Sequence, residues 1–103
     1  YPRLSRLSRA FPVAPMVEIQ PDEGSKHWRL AIVASDRPGL LADVARVFVQ
    51  FNVSVLTAKV MTLGERVEDV FVISGEDLNQ PRKQRQFERA VSDALSQEVA
   101  HAA

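Results

Sequence analysis

Residues 36–41 read Asp-Arg-Pro-Gly-Leu-Leu, a combination whose types and order suit the binding of a small ion. Pro38 disfavours helical geometry at Arg37 and is itself well placed in a first helical turn. A helix beginning at Pro38 has Gly39 as its second residue. The backbone amides of Gly39, Leu40 and Leu41 then have no acceptor inside the helix. They lie at the positive end of the helix dipole, which carries roughly half an elementary charge. Gly39 has no side chain, so a ligand can come up against the backbone. A carboxylate fits such a place. Asp36, one step outside, offers its own carboxylate to an ammonium group. A small zwitterion, an amino acid, satisfies both ends. The same residues also fit a plain strand-to-helix turn with Asp36 as its cap. A phosphate fits less well: neither G-x-x-x-x-G-K nor G-x-G-x-x-G occurs, and Asp36 repels it.

The rest of the composition narrows the chemistry. The chain has 103 residues, enough for one domain with a modest core. Its 13 basic and 13 acidic residues balance, which argues against a nucleic-acid or polybasic membrane surface. There is no Cys, hence no disulfide and no thiolate chemistry. His27 and His101 are far apart, so no metal site and no cofactor are expected in this chain. No Ser-His-acid set or paired-carboxylate arrangement is credible, so no catalytic residues are assigned. No apolar run is long enough to span a membrane and no signal peptide is visible, which makes the cytoplasm the expected location. Beginning at Tyr1 rather than Met, the chain is expected to be a fragment of something longer.

Residues 1–15 hold three Pro and three Arg, with Arg-Leu-Ser written twice. They read as a linker from an upstream domain, with Ser5 and Ser8 as conceivable phosphorylation sites. Val17 and Ile19 alternate with polar neighbours in a short strand over 16–20. Residues 27–35 are apolar at nearly every position from Leu30 to Ala34, the pattern of a strand buried on both faces. From Leu40 the period changes. Leu40, Leu41, Val44, Val47, Phe48 and Phe51 share one helical face, and Asn52 is suited to end the helix in a left-handed conformation. Residues 53–63 and 69–75 form a hairpin about the turn at Gly64. Pro81 opens a second helix with Phe87, Val91, Leu95 and Val99 as its stripe. Residues 100–103 are a fraying tail.

The order β-β-α-β-β-α implies an α+β, ferredoxin-like sandwich. It has a four-stranded antiparallel sheet and two helices on one face. The strand 16–20 fills the edge slot beside 27–35 that a final strand usually occupies. Two helices cover only one face, so the other face or an edge should meet a partner, most simply another copy of the fold. Lys59 is expected to pair with Asp69 or Glu68 across the hairpin. Thr57 suits either a ligand contact or an ordinary strand position. Trp28 reads as packing. Glu65, Arg66 and Glu68 read as a charged hairpin tip, and Arg82, Lys83, Arg85 and Arg89 as a solvated basic stretch.

The stretch "DRPGLLADVARVF" followed by "NVSVLTAKV" resembles the ACT domain, a small regulatory module, over residues 27 to about 98. The pairing with "TLGERVEDVF" and the leading strand at 16–20 is similar to the C-terminal ACT domains of enzymes that uridylylate and deuridylylate the PII nitrogen-signalling protein. The domain is placed at residues 16–99. The resemblance implies a regulatory domain that binds glutamine and pairs with another ACT domain, as a homodimer or a tandem copy. Upstream catalytic domains, with Mg as their metal, would contact PII. It implies ligand contacts at Asp36 and at Ser54, which starts the second strand of that family. Together these readings nominate Asp36, Arg37, Pro38, Gly39, Leu40, Leu41, Ser54 and Thr57. Some relatives carry a polar residue two places before the acid, where this chain has Ala34. That departure leaves a second expectation open, a ligand-free assembly module.

Overall fold

The computed structural model describes residues 14–96. Most of the expected linker, with Ser5 and Ser8, and also Val99, His101 and the tail at 100–103 lie outside that range. The elements are β1 (Met16–Pro21), β2 (Trp28–Ser35), α1 (Leu40–Gln50), β3 (Ser54–Leu63), β4 (Arg66–Ser74) and α2 (Pro81–Ser96). A 3-10 turn at Glu76–Asn79 leads into the last helix. The sheet runs β1-β2-β4-β3 and every neighbouring pair is antiparallel. This is the ferredoxin-like α+β arrangement that the element order implies. β1 occupies the edge slot beside β2, with Val17 opposite Ile32 and Ile19 opposite Leu30. Pro21 closes β1 on an edge, where its missing N–H costs the ladder little.

The core forms between one sheet face and the two helices. Leu30, Ile32 and Ala34 of β2 and Val67, Phe71 and Ile73 of β4 point into it. Leu40, Val44, Val47 and Phe48 of α1 and Phe87, Val91, Ala94 and Leu95 of α2 close it from above. Phe48 bridges the layers, edge-on to Phe71 at 5.5 Å and stacked near Phe87 at 5.9 Å. On the opposite sheet face, Ala31, Val33, Val70 and Val72 are only half-buried. The expectation of strands buried on both faces therefore holds for one face only within a single chain.

Several boundaries carry a physical reason. α1 starts at Leu40, not at Pro38, because Gly39 adopts φ +80° and acts as the N-cap. Pro38 and Gly39 spend themselves in the turn. At the other end Asn52 is left-handed, φ 55°. The Val53 N–H donates to the Phe48 carbonyl at 2.8 Å and that of Asn52 to Val49 at 3.1 Å, a Schellman closure. β4 begins at Arg66, three residues earlier than the apolar run suggests, because Gly64 and Glu65 alone make the hairpin loop.

The hairpin register overturns the expected Lys59 ion pair. Lys59 lies opposite Val70 on the uncovered face, whereas Asp69 faces the helices and Glu68 pairs with Arg66 at 3.0 Å. Trp28 packs at the core margin and donates Nε1–H to Asn79 Oδ1 at 3.2 Å.

Candidate functional site

The loop from β2 into α1 has a fixed shape. The Asp36 N–H donates to the Glu65 carbonyl at 2.8 Å, tying the loop to the β3–β4 turn. Arg37 folds back under it. Its Nη2 donates to Asp43 Oδ2 and to the Ala94 carbonyl, both at 2.8 Å, linking the loop to α1 and to the end of α2. Arg46 holds the other Asp43 oxygen at 2.6 Å. The Arg37 hydrogen bond is the first cause that holds the Asp43 carboxyl below its ordinary range. The charges of Arg37 and Arg46 assist and partial burial opposes.

Above this clamp lies a cleft of about 290 Å³, near the lower end of the roughly 300–1,000 Å³ usual for small-ligand sites. Asp36, Arg37 and the first residues of α1, Gly39 to Ala42, form one wall. Val60 and Thr62 of β3 with Val67 and Asp69 of β4 form the other. The cleft exists because β3 extends past the helices: all ten of its residues are exposed. Leu41, although on the apolar stripe of the sequence, is 45% exposed and borders the cleft instead of the core.

The helix start is partly free. Leu40 donates to the Arg37 carbonyl at 3.3 Å, so one of the three amides expected to be open is taken by the turn. Among the described residues, no hydrogen bond uses the amides of Gly39, Leu41 or Ala42. Asp36 does not cap the helix, which has no side-chain cap. Its side chain is exposed and accepts no hydrogen bond from the described residues. Arg37 borders the cleft, but its Nη2 is committed to the clamp, and Pro38 stands outside the lining. The wall thus offers open amides at the positive helix end beside an unpaired carboxylate, a fit for a carboxylate and an ammonium on one small molecule.

Ser54 and Thr57 are not brought to this place. Ser54 pairs with Ser74 at the far end of the sheet, eight positions from Thr62. At about 3.4 Å per residue, that is on the order of 25 Å. Thr57 follows a bulge and lies opposite Val72 on the uncovered face. Asp69 takes the place they leave. It is 1% exposed and accepts the Met61 N–H at Oδ1, 3.1 Å away, while Oδ2 is buried without a donor. Burial pushes its carboxyl upward, the Met61 amide opposes this, and the Asp36 charge adds to the push. Its signal in the sequence is an acid at an inward position among Val67, Phe71 and Ile73. Among the described residues, no group of three or more His, Cys, Asp or Glu side chains could hold a metal ion. None of their helices is long and apolar enough to cross a membrane.

Comparison with known families places this loop in context. The ACT domain family matches residues 28–89, from β2 into α2. The chain belongs to the ACT domain family. Its match covers the cleft-forming loop, α1 and the hairpin, and leaves β1 outside. The chain is also 59% identical over 92 residues to the bifunctional uridylyltransferase/uridylyl-removing enzyme of Bordetella pertussis, covering 89% of this chain. It is 58% identical over 96 residues to that of Bordetella avium, covering 93% of this chain. To that of Burkholderia mallei it is 47% identical over 94 residues, covering 91%. In each case it spans 11% of the relative's length. The ACT domain is thus similar to one small part of much longer enzymes.

Proposed function

We propose that this ACT domain binds glutamine in the cleft at the start of α1 and so regulates the catalytic domains of a uridylyltransferase/uridylyl-removing enzyme that acts on PII. The reading rests on one observation above the rest: open amides of Gly39, Leu41 and Ala42 border the same cleft as the unpaired Asp36 carboxylate. The ligand carboxylate takes the amides and its ammonium takes Asp36. In this reading the chain acts as the regulatory part, and catalysis belongs to other domains of the enzyme. Binding would favour one arrangement of neighbouring domains over another, by as much as the ligand's affinity for the two differs.

A second ACT domain, identical or tandem, is the proposed neighbour. Among the described residues β3 pairs only with β4 and leaves its outer edge open, and Val55, Leu56, Val60, Met61 and Leu63 along it are 38–50% exposed. Edges of this kind are templates for pairing. Ser54 meets a ligand in this scheme only if an adjoining module supplies it. Isothermal titration of L-glutamine into the chain tests the proposal. Saturable heat with one site per domain supports it. No heat at millimolar glutamine leaves the alternative, an assembly module without a ligand, which Ala34 in place of a polar contact favours.

A further inference from the structure

Asp69 is the only charged side chain buried in the core among the described residues. Its environment is unequal for its two oxygens. Oδ1 accepts the Met61 N–H at 3.1 Å, while Oδ2, on a residue that lines the cleft, is buried without a donor. Buried polar atoms are normally paired, so Oδ2 marks a donor that the chain does not supply. The nearby candidates make no bond to it. Arg37 Nη2 is held by Asp43 and Ala94, Arg37 Nε is buried and forms no hydrogen bond to Asp69, and Lys59 lies on the opposite sheet face. No hydrogen bond joins Thr62 to Asp69, although both line the cleft. What remains in front of Asp69 is the cleft itself.

We infer that Asp69 determines the specificity of this site. Its Oδ2 accepts an N–H donor at the end of the ligand's side chain, so the cleft selects an amino acid ending in a carboxamide over one ending in a carboxylate. The inference rests on the reading of the cleft as an amino-acid site. The α-amino and α-carboxyl groups are held at the exposed rim, by Asp36 and the helix amides. The side chain then runs inward, its methylenes against Leu41 and Val60, and ends at Asp69. A terminal carboxamide gives Oδ2 the missing donor. A terminal carboxylate of the same length meets the charge of Asp69 with that of Asp36 behind it, and like charges in a partly dry site repel strongly. Sites built to receive an N–H discriminate steeply against analogues that lack it.

The test is calorimetric titration of the 103-residue chain with L-glutamine, L-glutamate and the γ-methyl ester of L-glutamate. The ester keeps the carbonyl but replaces NH₂ with OCH₃. Glutamine is expected to bind at least tenfold more tightly than either. In Asp69→Asn, which keeps an oxygen for the Met61 N–H but offers an amide to the cleft, the glutamine-to-glutamate ratio is expected to fall at least tenfold. The ester comparison uses the unaltered chain, so the inference can be overturned even if the variant fails to fold. Equal binding of ester and glutamine overturns the inference, as does a variant that folds and keeps the original ratio. Binding of none of the three overturns the amino-acid reading and this inference with it. Binding of all three alike overturns only the role of Asp69.

Discussion

Arg37 and Asp43 meet at 2.8 Å across the turn that opens α1, with side chains only 18% and 14% exposed. The same guanidinium nitrogen also holds the Ala94 carbonyl, so one side chain ties the loop, the first helix and the last helix together. A cation that sequence order places beside Asp36 is thereby kept from neutralising it.

Replacement of Arg37 by Ala removes this three-way tie. The expected cost is about 1–3 kcal/mol, since it leaves an acceptor at Ala94 without its charged donor. Arg37→Lys recovers only part, because a lysine lacks the planar fork that reaches two acceptors at once. Urea denaturation of both variants measures the difference, and ligand binding should weaken along with stability because the loop loses its anchor.

The two shifted carboxylates give stability profiles of opposite sign. Asp43 is held below its ordinary value of 3.8. Its contribution is present above that pH and disappears as the pH falls through its lower folded value. Asp69 is raised above 3.8. The folded state holds that proton more tightly, so its contribution is present below 3.8 and is lost as the pH rises through the folded value. Asp43→Asn should therefore abolish the acid-side loss, and Asp69→Asn the loss above 3.8. Thermal unfolding across pH 2.5 to about 7 reads both slopes.

Asn52 gives a backbone test independent of the site. Its φ of 55° suits Asn and Gly but strains a branched side chain. Asn52→Val should cost about 1–2 kcal/mol while Asn52→Gly stays near neutral. Equal unfolding midpoints for the two variants would contradict the Schellman closure at the end of α1.

The elements were legible because their apolar periods are clean. Leu40, Val44, Val47 and Phe48 announce a helix, and the edge position of 16–20 follows from strand order alone. The site was legible only in part. Asp36 and Gly39 declare themselves through residue type, but the left-handed Gly39 delays the helix by two residues and leaves a different set of amides open. Asp69 stands at an inward position of β4 among Val67, Phe71 and Ile73, a signal that the pairing expected with Lys59 masks. Lys59 falls opposite Val70 in the unbroken register that runs from Leu63–Arg66 to Thr57–Val72, whereas Asp69 stands opposite Val60 on the helix side. Ser54 and Thr57 failed as contacts within one chain for a related reason. Proximity to the cleft depends on which end of a long hairpin meets the loop, and the Asp36–Glu65 hydrogen bond sets that end.

The exposed edge offers a test of pairing. Leu56 is 49% exposed at the β3 bulge, so Leu56→Glu should change the stability of the folded chain by no more than about 0.5 kcal/mol. On an interface it would instead bring a charge into an apolar seam. Sedimentation of the variant should then show a weaker self-association than the unaltered chain, and identical behaviour would move the partner surface away from β3.

Asp36 supplies the sharpest division between ligand binding and assembly. Its side chain is exposed and makes no bond to the described residues, so its loss should leave the fold within about 0.5 kcal/mol of the original. If it receives a ligand ammonium, Asp36→Ala removes a charge-assisted hydrogen bond of about 1.5–3 kcal/mol, a weakening of roughly 10- to 150-fold. Asp36→Asn should fall between, since an amide oxygen still accepts but no longer carries the charge. A purely assembling module predicts the reverse pattern, with unchanged calorimetry and unchanged sedimentation in both variants. Titration of glutamine into the three proteins at one ionic strength separates the two outcomes, because the fold is held constant while only the acceptor at the rim changes.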